Sequence, residues 1–194
     1  MFALPAFIMS TQDYAPTTST PTVFRLYFKN IWQRTMLVTN PDQTTTYYTV
    51  DVRNRKPHFT FHTSSGENFA TASTHYGENL SFTIRGKDFK IPLITGIVDT
   101  EFRYDSPALN GKEVVWKTGG VLAVGEITCE TRDGHKLGRF NQVGWYKESG
   151  VIEVADGADL PLNMIDELIV VGVAVSQHRV YQSAVVISTA AAVF

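Results

Sequence analysis

Two histidines four residues apart, His58 and His62 in "KPHFTFHT", have the spacing that holds a metal ion on one face of a helix. Their neighbours alternate Phe59 and Phe61 with polar residues, which is the period of a strand, and on a strand four residues span about 13 Å. One ion bound at about 2.1 Å cannot reach both rings. The pair therefore reads as two exposed histidines on the outer face of a sheet. His75 and His135 fall in glycine-flanked turns, and no neighbouring residue makes either one a base beside a nucleophile. Ser64 and Ser65 precede Gly66 without the Gly-x-Ser-x-Gly pattern of a nucleophile elbow. No phosphate-binding or dinucleotide-binding glycine motif is present, and Gly119–Gly120 reads as a hairpin turn. The carboxylates Glu101, Asp105, Glu113 and Glu126 have no spacing that pairs any two of them. These residues predict no enzyme, no metal site and no cofactor.

Charge is more informative. The formal net charge of −2 conceals an uneven distribution. Residues 21–60 carry six Lys and Arg against Asp42 and Asp51, whereas residues 151–194 carry Arg179 alone against five carboxylates. In "DVRNRKPH" and "IRGKDFK", the cations Arg53, Arg55, Lys56, Arg85, Lys87 and Lys90 fall at strand ends or turns. If the two turns meet at one end of a barrel, they form a site for a phosphorylated head group, held by charge-assisted hydrogen bonds. The competing reading is that these side chains simply solvate hairpins. Nucleic acid is not expected, because the chain is net acidic and shows no basic face interleaved with aromatics.

The single cysteine, Cys129, excludes an intrachain disulfide and a cysteine-based zinc cluster. Its setting in "GEITCETRDG", a strand running into an Asp-Gly turn, predicts a buried inert thiol and fits a reducing compartment. The start, "MFALPAFIMSTQDY", lacks a basic n-region and has Pro5 inside its apolar run, so it is not read as a secretion signal. The sequon Asn79-Leu80-Ser81 is accordingly read as unused.

The chain to about residue 155 is written in short alternating runs. Examples are "VFRLYFK", "TMLVTN", "TTYYTVDV", "HFTFHT", "NLSFTIRG", "KDFKIPL", "TEFRY", "KEVVWK", "GEITCETR", "QVGWYK" and "GVIEVAD". About a dozen strands at hairpin spacing predict an antiparallel barrel or sandwich. A Thr-, Ser- and Pro-rich stretch before them makes residues 1–22 a flexible leader.

One helix is predicted at about 160–178. Asp159 is its candidate N-cap, Pro161 lies in its first turn, and Asp166 and Glu167 suit its positive end. His178 and Arg179 are placed at its negative end. Between them Leu162, Met164, Ile165, Leu168–Val171 and Val173–Val175 cover the whole circumference, so the helix must be surrounded. The uninterrupted apolar run Leu168–Val175 is eight residues, against roughly 20 for a membrane span. A mainly β fold, an antiparallel barrel of about twelve strands, can enclose a helix of roughly 10 Å diameter. Residues 23–182 form that unit, and 183–194 follow as a tail or a last strand.

With "LVTNPDQTTTYYTV", "LNGKEVVWK" and "LGRFNQVGWYKESGVIEVADGADLPLNMIDELIVVGVAVSQHR", the chain from about Val23 to about Arg179 resembles the tubby C-terminal-like superfamily. That superfamily includes the plant LURP-one-related proteins and the phospholipid scramblases. Within it, the chain is similar to a fungal family of unassigned function. The resemblance implies a twelve-stranded barrel closed on a hydrophobic helix, and binding to phosphoinositide head groups through basic residues. Scrambling is not implied, because the chain departs from the scramblase members. It lacks their long Pro-rich arm, their cysteine cluster and a helix long enough to span.

The expectation is a non-enzymatic binding module, cytoplasmic or peripheral to a membrane, that docks on anionic phospholipid or phosphoinositide head groups through its basic turns. The alternative is a structural or protein-interaction domain with a protein partner and no lipid ligand. A small-molecule carrier would need the interior space that the helix fills.

Overall fold

The structure, a computed structural model, describes residues 22–29, 34–74, 79–93, 101–118, 125–142, 148–155 and 160–191, with the backbone alone for 148–149, 181 and 183–191. Among these residues twelve strands precede one helix. The first six are β1 (Val23–Phe28), β2 (Thr35–Thr39), β3 (Thr46–Val52), β4 (Phe59–Thr63), β5 (Asn68–Ser73) and β6 (Leu80–Ile84). The others are β7 (Lys87–Ile91), β8 (Glu101–Ser106), β9 (Lys112–Thr118), β10 (Glu126–Thr131), β11 (Lys136–Asn141) and β12 (Glu148–Val154). The helix is α1 (Leu162–Ala191).

Each strand pairs antiparallel with its neighbours, in the order β7-β6-β5-β4-β3-β2-β1-β12-β11-β10-β9-β8. The join of β1 to β12, Val23 opposite Glu153 and Phe24 opposite Ile152, links the two halves of the chain. This makes a nearly closed barrel whose seam lies between β7 and β8, which share no ladder. Side chains bridge the seam instead. Phe89 of β7 stacks on Tyr104 of β8 with ring centroids 5.1 Å apart, and Lys87 Nζ donates to the Pro107 carbonyl at 3.3 Å.

The interior is apolar because alternate residues of every strand point at α1. Leu26, Met36, Val38, Val50, Phe61 and Trp116 line the wall and are inaccessible to solvent. The helix contributes Met164 and Leu168–Val175, all buried, so it is enclosed on every side as its composition requires. It is not centred. Its backbone approaches β5 and β6 on one side and β11 and β12 on the other, pairs that lie six places apart around the ring. Three of those strands carry the small inward residues Ala70, Ala72, Gly138 and Gly150, whereas Trp116, Phe102 and Met36 fill other directions. The cross-section is thus set by side-chain size.

The helix is longer than expected. It starts at Leu162, with the Pro161 carbonyl accepting from the Met164 N–H at 2.8 Å, and its candidate cap Asp159 lies outside the described residues. It does not end near residue 178. No Gly or Pro interrupts the chain from Val173 to Ala191, so nothing stops the helix, and residues 183–191 are helical rather than a tail or a last strand. His178 and Arg179 consequently sit inside the helix and are buried, not placed at a solvated C-terminus. At about 1.5 Å per residue α1 measures roughly 45 Å, about twice the roughly 23 Å of a seven-residue strand. Its last turns therefore pass beyond the strand ends.

Candidate functional site

In a meander of antiparallel strands, successive turns alternate between the two ends of the barrel. One end, the floor, is where α1 begins: Met164 and Glu167 lie by Ser106 and Ala108, at the end of β8 and just past it. The other end, the rim, is where α1 leaves: His178 meets Phe102 at the start of β8.

This alternation separates the six basic residues singled out above. The β3–β4 turn, with Arg53, Arg55 and Lys56, is at the rim. The β6–β7 turn, with Arg85 and then Lys87, is three turns further along and therefore at the floor. Lys90 lies on the outer wall toward the rim, opposite Ser81. The two basic turns do not meet, and the expected six-residue cluster is not formed.

Arg85 is moreover committed to a buried partner, although its own side chain is half exposed. Its Nε and Nη2 both donate to Asp166 Oδ2 at 2.7 Å, and its guanidinium lies over the Phe69 ring. Asp166 is 2 % exposed and accepts a third bond from Tyr48 Oη at 2.7 Å. The adjacent Glu167, equally buried, accepts from Tyr104 Oη at 2.9 Å and the Ala108 N–H at 3.0 Å. The two carboxylates therefore grip opposite sides of the seam, Asp166 holding the β6–β7 turn and β3, Glu167 holding β8. Burial pushes the Glu167 carboxyl above the ordinary carboxylate value, against the pull of its donors. Burial, reinforced by the adjacent carboxylates, also raises the phenols of Tyr48 and Tyr104, which stay protonated as donors. Cys129 is buried, and burial followed by the Glu167 charge pushes its thiol well up, so it is inert as expected.

The rim gathers a different set of cations. Lys29 and Arg34 flank the β1–β2 connection, which shares an end with the β3–β4 turn because the two are two turns apart. One backbone bond joins them, the Val52 N–H donating to the Arg34 carbonyl at 2.6 Å, while the Arg53 N–H closes the β3–β4 turn on the His58 carbonyl at 2.7 Å. Lys29, Arg34, Arg53, Arg55 and Lys56 are all exposed there. Arg53 lies 3.9 Å from Asp51, while Lys29, Arg34 and Arg55 make no ion pair among the described residues. Two readable signals pointed to this set: the positive excess of residues 21–60, and the parity of turns in a meander.

The two histidines of "KPHFTFHT" are not the exposed outer-face pair expected: His62 lies on β4, whereas His58 sits in the turn before it, and both are half-buried. His62 Nε2 sits 3.5 Å from Asp51 on the outer wall, His58 Nδ1 accepts from the Thr74 N–H at 3.0 Å, and His75 lies outside the described residues. Among the described residues no group of His, Cys, Asp and Glu could hold a metal ion, and no helix is long and apolar enough to cross a membrane. Comparison of the chain with protein-family models, with curated proteins and with solved structures found no match.

Proposed function

We propose that the chain is a non-enzymatic binding module whose rim docks on an anionic phospholipid surface. The observation that carries this reading is the meeting of Lys29, Arg34, Arg53, Arg55 and Lys56 on two adjoining connections, three of them without a counter-ion among the described residues. Each such cation contributes about 1 kcal/mol at an anionic leaflet, so five acting together suffice for reversible docking. The last turns of α1 leave the barrel at the same end. A barrel of twelve antiparallel strands around a C-terminal helix is also the architecture implied by the resemblance to the tubby C-terminal-like superfamily and its fungal members, and it supports that assignment. Docking would place the protein at a membrane periphery.

A protein-interaction role is the second reading, favoured by the unpaired edges of β7 and β8 at the seam. Sedimentation with vesicles separates the two. The chain should pellet with vesicles containing phosphatidylserine or phosphoinositide at 0.1 M salt and stay in solution with phosphatidylcholine alone. Arg34→Ala/Arg53→Ala/Arg55→Ala should weaken binding by about a hundredfold. Lys87→Ala/Lys112→Ala/Lys136→Ala, which removes equal charge from the floor, should leave it within a factor of three. Binding that ignores lipid charge, or that both triple variants lose equally, rules the rim out as the docking face.

A further inference from the structure

The two ends of α1 are held by different physics. At the floor, Asp166 and Glu167 are satisfied by donors from β3, the β6–β7 turn, β8 and the residues just past β8. Toward the rim, His178 is 1 % exposed, and neither of its ring nitrogens has a hydrogen-bond partner. Phe102 of β8 presents its ring at 89° with centroids 6.0 Å apart. The charged neighbour of His178 is Arg179 on the same helix, itself 5 % exposed, with Nη1 donating to Gln182 Oε1 at 3.2 Å. From β8, Arg103 points out of the barrel, where it pairs with Glu101, and Tyr104 is bound to Glu167 on the floor side. Toward the rim, the inward faces of β5, β6, β11 and β12 carry Ala72, Leu80, Phe140 and Gly150, none of which titrates. An imidazole here has no carboxylate to accept its charge among the described residues.

We propose that His178 is an acid-sensitive catch: its protonation frees the rim half of α1, from about Ser176 onward, while the floor half stays latched. A neutral imidazole is tolerated inside the barrel as an apolar ring. An imidazolium would be buried beside a buried guanidinium, and the state that relieves it is the one in which this part of the helix leaves the barrel. Burial, and then the Arg179 charge, hold the His178 pKa down to about 4 from an ordinary 6.5. A group whose pKa is lowered by folding binds fewer protons in the closed state, so closure is favoured above pH 6.5 and weakened as pH falls toward 4. Across that window the opening constant rises by up to about 300-fold. Any use of this opening in membrane docking rests on the proposed function, since it would expose apolar helix and barrel mouth at the basic rim; the opening itself does not.

Hydrogen exchange read by mass spectrometry, corrected for the intrinsic pH dependence of exchange, tests the catch without lipid. Between pH 6.5 and 4, protection of amides 176–191 should fall by one to two orders of magnitude, while 164–171 stay protected. His178→Leu, matched for size and apolarity, should remove that fall. An equal fall in His178→Leu overturns the proposal. So does a His178 ring that titrates near pH 6.5 in the folded wild-type chain by NMR, a measurement that needs no variant. Vesicle sedimentation at pH 5 then separates the two ideas: opening without added lipid binding keeps the catch and removes its link to docking.

Discussion

Arg85 shows what one residue is asked to do in this fold. With Gly86 it forms a two-residue hairpin turn between Ile84 and Lys87, and both residues have positive φ, 47° and 76°. Gly is at ease there, and Asn is the usual first residue of such a turn; Arg in that conformation costs about 1 kcal/mol. What offsets the strain is the ion pair to buried Asp166, which would otherwise keep Tyr48 alone as a donor. Arg85→Ala should therefore destabilise the protein by about 3 kcal/mol, because it leaves a buried charge uncompensated and relieves no strain. Arg85→Asn should cost about 1 kcal/mol less, since Asn suits the left-handed turn. Urea unfolding of both variants checks the order, and equal losses would show that the turn is unstrained. The sequence made Arg85 and the Arg53 turn look alike, as cations beside hairpins. It could not show that one faces a carboxylate, because Asp166 is 81 positions away and meets it only when the helix enters the barrel.

Among the elements, the strands most visible in the sequence are those whose inward residues are large. Phe59 and Phe61 of β4, or Leu80, Phe82 and Ile84 of β6, alternate with polar residues so clearly that their strands could be drawn directly. β5 and β11 had no such signal, with "NFATAS" and "KLGRFN" carrying Ala70, Ala72 and Gly138 where bulk was expected. Their small residues leave room for α1, which comes close to both strands; β6 and β12, also near it, keep the larger Leu80, Phe82 and Ile152. A pattern rule that looks for bulky inward residues is blind at the positions where the helix itself supplies the bulk. Gly172 makes the complementary adjustment on the helix, since a Cβ there would lie 3.0 Å from the Trp116 ring and 3.6 Å from Ile152. Gly172→Val adds a branched side chain against a ring that is wholly buried, so overpacking of about 2–3 kcal/mol should exceed the roughly 0.3–0.5 kcal/mol gained in helix propensity. Calorimetry should record a fall in melting temperature; a rise would mean that Trp116 yields easily and the helix is loosely gripped.

At the scale of the whole molecule, barrel and helix are one core, and the chain cannot complete the wall's interior until its last segment arrives. The wall strands end at Val154, yet Leu26, Met36, Phe61 and Trp116 face inward over a space that only α1 fills. That dependence was legible early, because a helix apolar on every side has to be enclosed. The length of the helix was not, because residues 183–191 lack the heavy apolar run that marks Leu168–Val175 and contain no stop signal either. The difference gives truncation a sharp expectation. Ending the chain after Gln182, the last described buried side chain, removes only helix beyond the filled interior, so the product should remain folded, with a melting temperature within a few degrees of the full chain. Ending it after Gly172 removes Val173, Ala174, Val175 and Val180. At about 1.5–3 kcal/mol for each larger aliphatic side chain, the loss is of the order of the 5–15 kcal/mol that stabilises a whole domain. That chain should show no cooperative unfolding and should aggregate by light scattering. A cooperative transition in the shorter product would mean that the barrel closes without the rim half of its helix, and that the core is two separable layers.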